Sequence, residues 1–530
     1  QAQTMHQFQP ETKWGGRFTA LDRNPSLSQI ILGGSDSGGL FRSDDGGVAW
    51  ARVDSFPAML LTDLIFLSNH VVLAASITDI TPVSMGIWRS IDGGLNWDRI
   101  SSDIAGTGVI QVRRFSRSED GSKLFAATSR GVLTSGDDGF NWVLDSSPLL
   151  EDAYSVQWLT GDVLLVASSR GLFRRGSSTA PWVRVTQGFE LGSDGSPKNR
   201  SWSYRSFAVS PLNLGHVYYS AEGPQLYESF DAGVNWRPVD MTGSAIDQPN
   251  GRPTLVQTVR TSAPDIFMVF YCNTWDLHAK RVRVQGQTVT YLDSTWINKS
   301  DNDHNTNLDP TQVLFDPRTY EPDLLAADGG IYRWNITEQK WYSVGGRSAG
   351  LTALQLYDVM SQQVTGNGWH EDVYYGTQDN NLGITSDDGV TWKELGGEGL
   401  VLPSEAYIDS DENARIFISD GRTYTKGHFA DKRPWQDAPI PSAAPYFVQH
   451  NIYVQNSAIH QGQNTLFITF DFGETWHKLR SIDRTLVTQE PQIVRTSDQS
   501  LYLYFAAWVL DGNICCRRGL VQVRVSHDGS

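Results

Sequence analysis

The chain has 530 residues, more than one hydrophobic core usually supports, so several domains or a repeat array are expected. Its formal net charge of -16 argues against a nucleic-acid backbone or an anionic membrane surface as the main partner. No run of the sequence approaches the roughly 20 consecutive apolar residues that span a bilayer. We therefore expect neither a nucleic-acid partner nor a membrane span.

Glycine and aromatic residues are abundant, with 49 Gly, 18 Trp, 19 Tyr and 22 Phe, and this composition suits many short strands joined by tight turns. The three cysteines are too few for a disulfide framework, so packing and hydrogen bonds must hold the fold. Cys272 is expected in the core. The adjacent Cys515 and Cys516 are either two thiols or a vicinal disulfide.

A short motif, Ser/Thr-x-Asp-x-Gly-x-x-Trp, recurs along most of the chain in six copies. Its Ser/Thr and Asp oxygens can bond turn amides, its Gly can take a positive φ, and its Trp can anchor the returning strand. We therefore predict a structural role for the aspartate of each copy. The copies are Ser43–Trp50, Ser90–Trp97, Ser135–Trp142, Ser229–Trp236, Thr385–Trp392 and Thr469–Trp476, with the aspartates Asp45, Asp92, Asp137, Asp231, Asp387 and Asp471.

The first three copies begin 47 and 45 residues apart, which is the length of one four-stranded propeller blade. Before Trp182 and Trp341 the flanking strands persist, but the motif has lost its aspartate. Between Trp236 and Trp341, the strand-like runs TLVQTVR, IFMVFYC, KRVRV and VTYL predict a blade without the motif. The sequence thus predicts an all-β fold, a β-propeller of about eleven four-stranded units.

Two arrangements of these units are open. They form either two tandem propellers, with residues 1–300 and 301–530 as the two groups of blades, or one large ring. The chain ends in SHDGS, which is the first half of another motif, and the N-terminal run MHQFQ is predicted to supply the missing last strand. Such closure between the N- and C-terminal strands would remove an open sheet edge. A truncated chain would end in the same way.

With these motifs the chain resembles the Asp-box (BNR) repeat propellers. The opening WGGRFTALDRNPSLSQIILGGSDSGGLFRSDDGG, Trp14–Gly47, is similar to the first blade of xyloglucanase-like glycoside hydrolases and sortilin-like bacterial proteins. In the xyloglucanases an aspartate before a Gly-Gly-aromatic strand is catalytic, and Asp36 occupies the matching place. The stretch Asp301–Trp334 repeats this strand pattern, and YYGTQDNN at Tyr374–Asn381 also recurs in such proteins.

The resemblance implies a pair of catalytic aspartates, with Asp328 or Asp379 as the partner of Asp36. A glycosidase needs one carboxyl group as acid and a second to activate water or attack the sugar. In a Gly-rich turn, however, an aspartate often only caps its own backbone. Further candidates for substrate binding are polar side chains that could bond sugar hydroxyl groups and aromatic rings on which a sugar could stack: Asp303, His304, Gln378, Asn380, Trp369 and His370. For Asp303 and His304 the alternative is an ordinary polar loop.

No phosphate-binding loop, nucleophile elbow or zinc-type histidine pair is present, so we predict neither a cofactor nor a metal site. Sialidases fit poorly, because no Arg-Ile-Pro motif lies near the start. The expected function is that of a secreted carbohydrate-active propeller, a glycoside hydrolase acting on a polysaccharide. The alternative is a propeller that binds a protein, peptide or glycan without chemistry. The start at Gln1, without a signal peptide, fits a processed chain and a trimmed one; we expect a secreted or periplasmic protein.

Overall fold

The computed structural model describes most of the first 354 residues and mainly strands beyond them. The described residues are 15–77, 85–100, 110–145, 147–198, 201, 203–221, 225–239, 255–272, 277–286, 288–296, 309–354, 356–365, 369–377, 382–385, 387, 389–396, 402–408, 414–419, 424–428, 436–437, 458–462, 465–469, 477–478, 485–487, 492–495, 500–511 and 514–525. Two compact units are formed, and one of them spans Lys13–Leu354.

The first unit contains seven four-stranded antiparallel blades, in each of which consecutive strands pair. Blades one to three are β1 (Phe18–Arg23), β2 (Ile31–Ser35), β3 (Leu40–Ser43) and β4 (Ala51–Arg52); β5 (Leu61–Phe66), β6 (Val72–Ser76), β7 (Gly86–Ser90) and β8 (Asp98–Arg99); and β9 (Val112–Arg117), β10 (Leu124–Thr128), β11 (Gly131–Ser135) and β12 (Val143–Asp145).

Blades four to seven continue this order. They are β13 (Ala153–Trp158), β14 (Leu164–Ser168), β15 (Gly171–Arg175) and β16 (Val183–Arg184); β17 (Phe207–Ser210), β18 (Asn213–Ala221), β19 (Gln225–Ser229) and β20 (Arg237–Pro238); β21 (Leu255–Arg260), β22 (Ile266–Cys272), β23 (Leu277–Gln285) and β24 (Thr288–Trp296); and β25 (Gln312–Phe315), β26 (Pro322–Ala327), β27 (Gly330–Asn335) and β28 (Lys340–Ser343). Two 3-10 turns lie at Pro148–Leu150 and Arg347–Ala349.

The core of this unit lies between neighbouring blades. The second strands β2, β6, β10 and β14 are buried at every residue, because each blade is covered on both faces by its neighbours. One cluster joins blades one and two through Leu32, Leu64 and Trp88. Another joins the first and seventh blades through Phe18 and Leu324. The seventh blade therefore packs directly against the first.

The Asp boxes form the turn between the third and fourth strands. In the first box, Ser43 Oγ donates to Asp45 Oδ1 (2.8 Å), and that oxygen accepts the N–H groups of Val48 and Ala49 at 3.0 and 2.9 Å. The Trp50 indole N–H donates to the Gly47 carbonyl at 3.2 Å. These hydrogen bonds lower the pKa of Asp45, and the same direction holds for Asp92, Asp137, Asp231 and Asp387. Asp471 lies outside the described residues.

Each of the four boxes in this unit also touches the preceding blade. At Gly94, where φ is +94°, a Cβ atom would lie 2.7 Å from Leu32 of blade one, so only glycine allows this approach. An arginine on the third strand of the preceding blade also donates to the carbonyl of the fourth box residue. We call this contact the arginine lock. It joins Arg42 to Gly93, Arg89 to Asp138, Arg174 to Ala232 and Arg333 to Gly46.

Innermost strands are joined by a second set of contacts, in which polar side chains of one blade bond the main chain of the next. Asp63 Oδ2 accepts the Phe115 N–H at 2.8 Å, and Gln312 Oε1 accepts the Leu21 N–H at 2.8 Å. Since Gln312 belongs to blade seven, the same device joins the seventh blade to the first. These bonds satisfy inner sheet edges that would otherwise be open.

A charged cluster crosses the centre of the ring. Oδ1 of the buried Asp63 lies 2.8 Å from Arg114 and 3.0 Å from Arg205, which reaches it from blade five. Arg205 also donates to the Thr19 carbonyl at 3.3 Å. Burial lowers the pKa of Arg205 to about 9, against the opposing charge of Asp63. The cluster therefore links blades one, two, three and five.

The second unit is also all-β among its described residues. Two sheets repeat the four-stranded order, one has three strands, and the last pairs β42 with β40, β41 and β43. The strands are β29 (Leu356–Thr365), β30 (Trp369–Thr377), β31 (Leu382–Thr385), β32 (Lys393–Gly396), β33 (Leu402–Ile408), β34 (Ala414–Ser419), β35 (Tyr424–His428), β36 (Gln436–Asp437), β37 (Ala458–Gly462), β38 (Thr465–Thr469), β39 (His477–Lys478), β40 (Thr485–Val487), β41 (Gln492–Arg495), β42 (Leu501–Asp511) and β43 (Ile514–Val525).

The predicted all-β propeller is confirmed, and so are the blades without complete boxes that end near Trp182, Trp296 and Trp341. The predicted count of about eleven four-stranded blades is not supported, because the propeller unit has seven and the last described sheets depart from the blade order. The compact units divide after Leu354. The predicted grouping of blades into residues 1–300 and 301–530 stays a prediction. The predicted closure is not supported either, since MHQFQ and SHDGS lie outside the described residues.

Candidate functional site

One face of the ring carries the turns between second and third strands, and we call it the upper face. Successive turns of an antiparallel sheet lie at opposite ends of its strands, so these turns lie at the end opposite the Asp boxes. Asp36 lies in this turn of blade one, and Asp328 lies in the corresponding turn of blade seven. Because these blades are neighbours, the two aspartates meet on the upper face.

The main chain around Asp36 is fixed by short-range hydrogen bonds. Ser35 Oγ accepts the N–H groups of Ser37 and Gly38 at 3.0 and 2.7 Å, and Asp36 N–H donates to the Arg17 carbonyl at 3.2 Å. Ser37 Oγ donates to the Ala353 carbonyl at 2.9 Å. Its side chain therefore ties the Asp36 turn to the segment that follows blade seven.

Arg17 lies between the two aspartates. Its Nε is 2.9 Å from Asp328 Oδ1 and 3.5 Å from Asp36 Oδ2. The side chains are 43% exposed for Arg17, 19% for Asp36 and 9% for Asp328. The shorter, less exposed contact makes Asp328 the main partner of Arg17, and Asp36 remains open to a ligand on the upper face.

Burial raises the pKa of Asp36 above its usual range, and the charge of Arg17 opposes this rise. Within the described residues, Oδ1 of Asp36 has no hydrogen-bond partner. Burial, together with the Asp328 carboxylate, also raises the pKa of the Tyr332 hydroxyl. The site therefore combines a carboxyl group with a raised pKa and a second carboxylate that pairs with Arg17 at 2.9 Å.

The guanidinium group of Arg17, rather than open space, lies between the two aspartates. Their facing oxygens can be no farther apart than the sum of the two contacts to Arg17, 2.9 and 3.5 Å. An inverting glycosidase separates its carboxyl groups by about 6.5 to 9.5 Å and a retaining one by about 5 to 5.5 Å, with the reacting sugar between them. Here the guanidinium group lies at that place. Arg17 therefore contacts both carboxylates and lies nearer to Asp328 than to Asp36.

The remaining predicted site residues fall in less defined parts of the chain. Asp379, Gln378, Asn380, Asp303 and His304 lie outside the described residues. Trp369 and His370 begin strand β30, and only the main chain of these two residues is described. No group of three or more His, Cys, Asp or Glu residues suited to a metal ion occurs in the part of the chain that is described.

Sequence reasoning missed Arg17, although it stands in the quoted opening segment. It directly precedes the first strand, and Phe18 pairs with Ser35 at the start of the Asp36 turn. The pairing of β1 with β2 therefore brings Arg17 beside Asp36. Arg17 could have been found from the sequence if the pairing of β1 with β2 had been assigned first.

Comparison with known proteins agrees with this fold. The BNR/Asp-box repeat model matches residues 467–478, around the sixth box. No curated protein matches the sequence. The structure is similar to an ancestral GH74 enzyme, with a TM-score of 0.59, 13% identity, and coverage of 98% of this chain and 85% of that chain.

Two further solved structures are similar. The GH74 xyloglucanase from Xanthomonas campestris has a TM-score of 0.51 and 14% identity, over 95% of this chain and 87% of that chain. The GH74 enzyme of Niastella koreensis has a TM-score of 0.50 and 12% identity, over 94% and 84%. The predicted resemblance to Asp-box propellers and xyloglucanase-like hydrolases is confirmed, and at these identities it shows a shared fold. Among the described residues, no helix is long and apolar enough to cross a membrane.

Proposed function

We propose that this protein is an extracellular, carbohydrate-active propeller that hydrolyses a glycosidic bond of a polysaccharide, with Asp36 as the general acid. The observation that carries the proposal is the state of Asp36: a partly exposed aspartate on the upper face whose pKa is raised by burial. A general acid must hold its proton near the working pH. Fold similarity to GH74 enzymes points to the same class of substrate.

In this proposal Asp36 gives its proton to the oxygen of the leaving sugar as the glycosidic bond breaks. Asp328 holds Arg17 at 2.9 Å and so limits the electrostatic effect of the guanidinium on Asp36, which is 3.5 Å away. A free arginine beside Asp36 would favour its ionised form and weaken it as an acid. Arg17 and Asp328 are therefore positioning residues rather than catalytic ones.

The second carboxyl group is proposed from the sequence alone. Asp379 is the remaining candidate, because Arg17 lies between Asp36 and Asp328. Hydroxyl and ring contacts to the substrate are proposed for Gln378, Asn380, Asp303, His304, Trp369 and His370 on the same basis.

A polysaccharide panel tests this function. Reducing-end release is measured for the wild type, Asp36→Asn, Asp379→Asn and the control Asp98→Asn, whose aspartate is exposed on β8. The proposal expects at least a hundredfold loss for Asp36→Asn, in line with the usual contribution of general acid catalysis, and no change for the control. Equal rates for the wild type and Asp36→Asn would remove Asp36 from the mechanism. If Asp36→Asn loses activity and Asp379→Asn does not, Asp379 is excluded as the second carboxyl group and Asp36 remains the general acid.

A second candidate is a binding propeller without chemistry, favoured by the guanidinium that lies between the two described carboxyl groups. In that case the upper face holds a glycan or peptide, and Arg17 is a ligand-binding group. The same panel distinguishes the two functions. Retention of a polysaccharide with no release of reducing ends would support binding and reject hydrolysis.

A further inference from the structure

The arginine lock is absent between blades three and four. Thr134 stands at the position that Arg42 and Arg89 occupy in blades one and two, directly before the box serine. On the other side of this junction, blade four has no complete Asp box, so the box turn that accepts such an arginine elsewhere is also absent. Both halves of the lock are lost at the same junction.

A groove opens at this junction. Its volume is about 760 Å³, and it is lined by Thr134, Val143 and Ser147 of blade three and by Arg175 and Ser178 of blade four. Thr134 pairs directly with Val143 across strands β11 and β12, and Val143 is 71% exposed. The groove therefore lies where a lock and a box turn lie at other junctions.

The walls of the groove are fixed by an ion pair between the blades. Asp145 Oδ2 accepts Arg175 Nη1 at 3.0 Å and the indole N–H of Trp182 at 2.8 Å. Arg175 stands at the box-serine position of blade four, and its guanidinium lies 4.9 Å from the centre of the Trp182 ring. In complete boxes the tryptophan N–H bonds its own glycine carbonyl instead. The rearrangement holds the groove open with a matched pair of charges.

The junction between blades five and six shows the alternative. There Glu228 replaces the arginine, and its buried carboxylate accepts bonds from His216, Tyr291 and Arg237. Polar side chains of blades five and six therefore fill the space that a lock would occupy. The open groove between blades three and four is thus a feature of that junction and does not follow from every missing box.

We propose that this groove is a secondary binding site for a neutral polysaccharide. Its one cationic and one anionic group bond each other, so the lining favours neither an anionic nor a cationic ligand. Hydroxyl groups of Thr134, Ser147 and Ser178 beside the apolar surface of Val143 suit a sugar ring, which has hydroxyl edges and C–H faces. The volume is within the usual range for ligand sites. This inference deepens the proposed function and rests on it for the class of ligand.

Restoring the lock arginine tests the site. Thr134→Arg introduces into the groove the lock arginine that Arg42 and Arg89 supply in blades one and two. Ser178→Phe fills the groove from the side of blade four. Mobility of the protein is measured in gels containing xyloglucan, mixed-linkage β-glucan, galactomannan or, as an anionic comparison, polygalacturonate. We expect one or more neutral polysaccharides to retard the wild type and both variants to bind it at least about tenfold more weakly. Thr319→Arg, at an exposed turn of blade seven, is the charge-matched control and should behave as the wild type.

The outcomes separate this site from the proposed activity. If Thr134→Arg and Ser178→Phe are retarded as strongly as the wild type, the groove is not the site, whatever Asp36 does. If they lose retardation while Asp36→Asn keeps its activity, the groove stands and the catalytic proposal fails. Stronger retardation by polygalacturonate than by the neutral polymers would overturn the choice of ligand. A wild type that no neutral polysaccharide retards would overturn the proposed site.

Discussion

Arg333 of the seventh blade donates a hydrogen bond to the Gly46 carbonyl of the first blade, at 2.5 Å. This contact repeats the arginine lock that joins blades adjacent in sequence, although the two residues lie at opposite ends of the unit. Arg333 also lies 3.8 Å from Asp323 of its own blade. The seventh blade therefore meets the first through the same chemistry that joins blade one to blade two.

Arg333→Ala is expected to reduce the free energy of unfolding of this unit by about 1 to 2 kcal/mol, because the Gly46 carbonyl loses a charged donor. The estimate is modest because the arginine side chain is 38% exposed. Urea unfolding of the wild type and the variant measures the loss. Arg52→Ala, which removes an exposed arginine on β4, is the control and should change stability by less than about 0.5 kcal/mol. Equal losses in the two variants would deny the lock a specific role.

The repeat was predictable from sequence because its stabilising bonds are short-range. Ser43, Asp45 and Trp50 bond within one turn, so the motif carries its own structural explanation. The arginine lock could not be predicted from single blades, because each lock joins two blades. Its arginine stands directly before the box-serine position in blades one, two, four and seven, each of which is followed by a blade with a box, whereas Thr134 stands there in blade three. Pairs of consecutive blades, including the last with the first, would have had to be compared.

The site was predictable in part. The turn chemistry and the resemblance singled out Asp36 and Asp328, and the fold brings both to Arg17. Their separation was not predictable, because it depends on how many blades complete the ring and so on which blades become neighbours. With seven blades, the turns of Asp36 and Asp328 belong to neighbouring blades. With the expected eleven units, it would not have been known whether these two turns are neighbours.

Asp328→Asn should shift the pH profile of the proposed hydrolase. Without the Asp328 carboxylate, Arg17 can pair more closely with Asp36 and lower the pKa of that carboxyl group. The alkaline limb of kcat/KM reports loss of the proton from a general acid, so this limb should move to lower pH. Rates from pH 4 to 9 for Asp328→Asn and the control Asp98→Asn measure the shift. An unchanged limb, or one displaced to higher pH, would show that Asp328 does not act on Asp36 through Arg17.

Asp22 should make this unit less stable as pH rises from about 4 to about 7. Burial raises its pKa from 3.8 to about 7, and Asp63 adds to the rise, against N–H bonds from Phe66 and Arg23. Between these values the folded protein holds a proton that the unfolded chain has lost. The contribution of Asp22 to the free energy of unfolding is therefore greatest below pH 3.8. It falls by up to about 1.4 kcal/mol per pH unit as the pH rises towards about 7.

Thermal unfolding across this pH range measures the effect. Asp22→Asn removes the titrating group, so the difference in stability between the variant and the wild type should change with pH in this window and be constant above it. Asp98→Asn should leave the dependence as it is. A constant difference between Asp22→Asn and the wild type throughout would mean that Asp22 is already ionised at pH 4 in the folded protein.

Gly38→Ala should disturb the Asp36 turn through its contact with the segment after blade seven. A Cβ atom at residue 38 would lie 2.4 Å from the Ala353 Cβ, so that segment must move and the Ser37 bond to the Ala353 carbonyl must lengthen. Overpacking of this kind costs about 1 to 3 kcal/mol. The proposed activity should fall as well, because Asp36 is adjacent to the displaced bond. Gly136→Ala is the matched control for stability, since its Cβ meets nothing within 4 Å and its φ is not positive. Asp98→Asn is the control for activity, because Gly136 lines the groove between blades three and four. If Gly38→Ala keeps the full activity and stability of the wild type, the contact with Ala353 does not position Asp36.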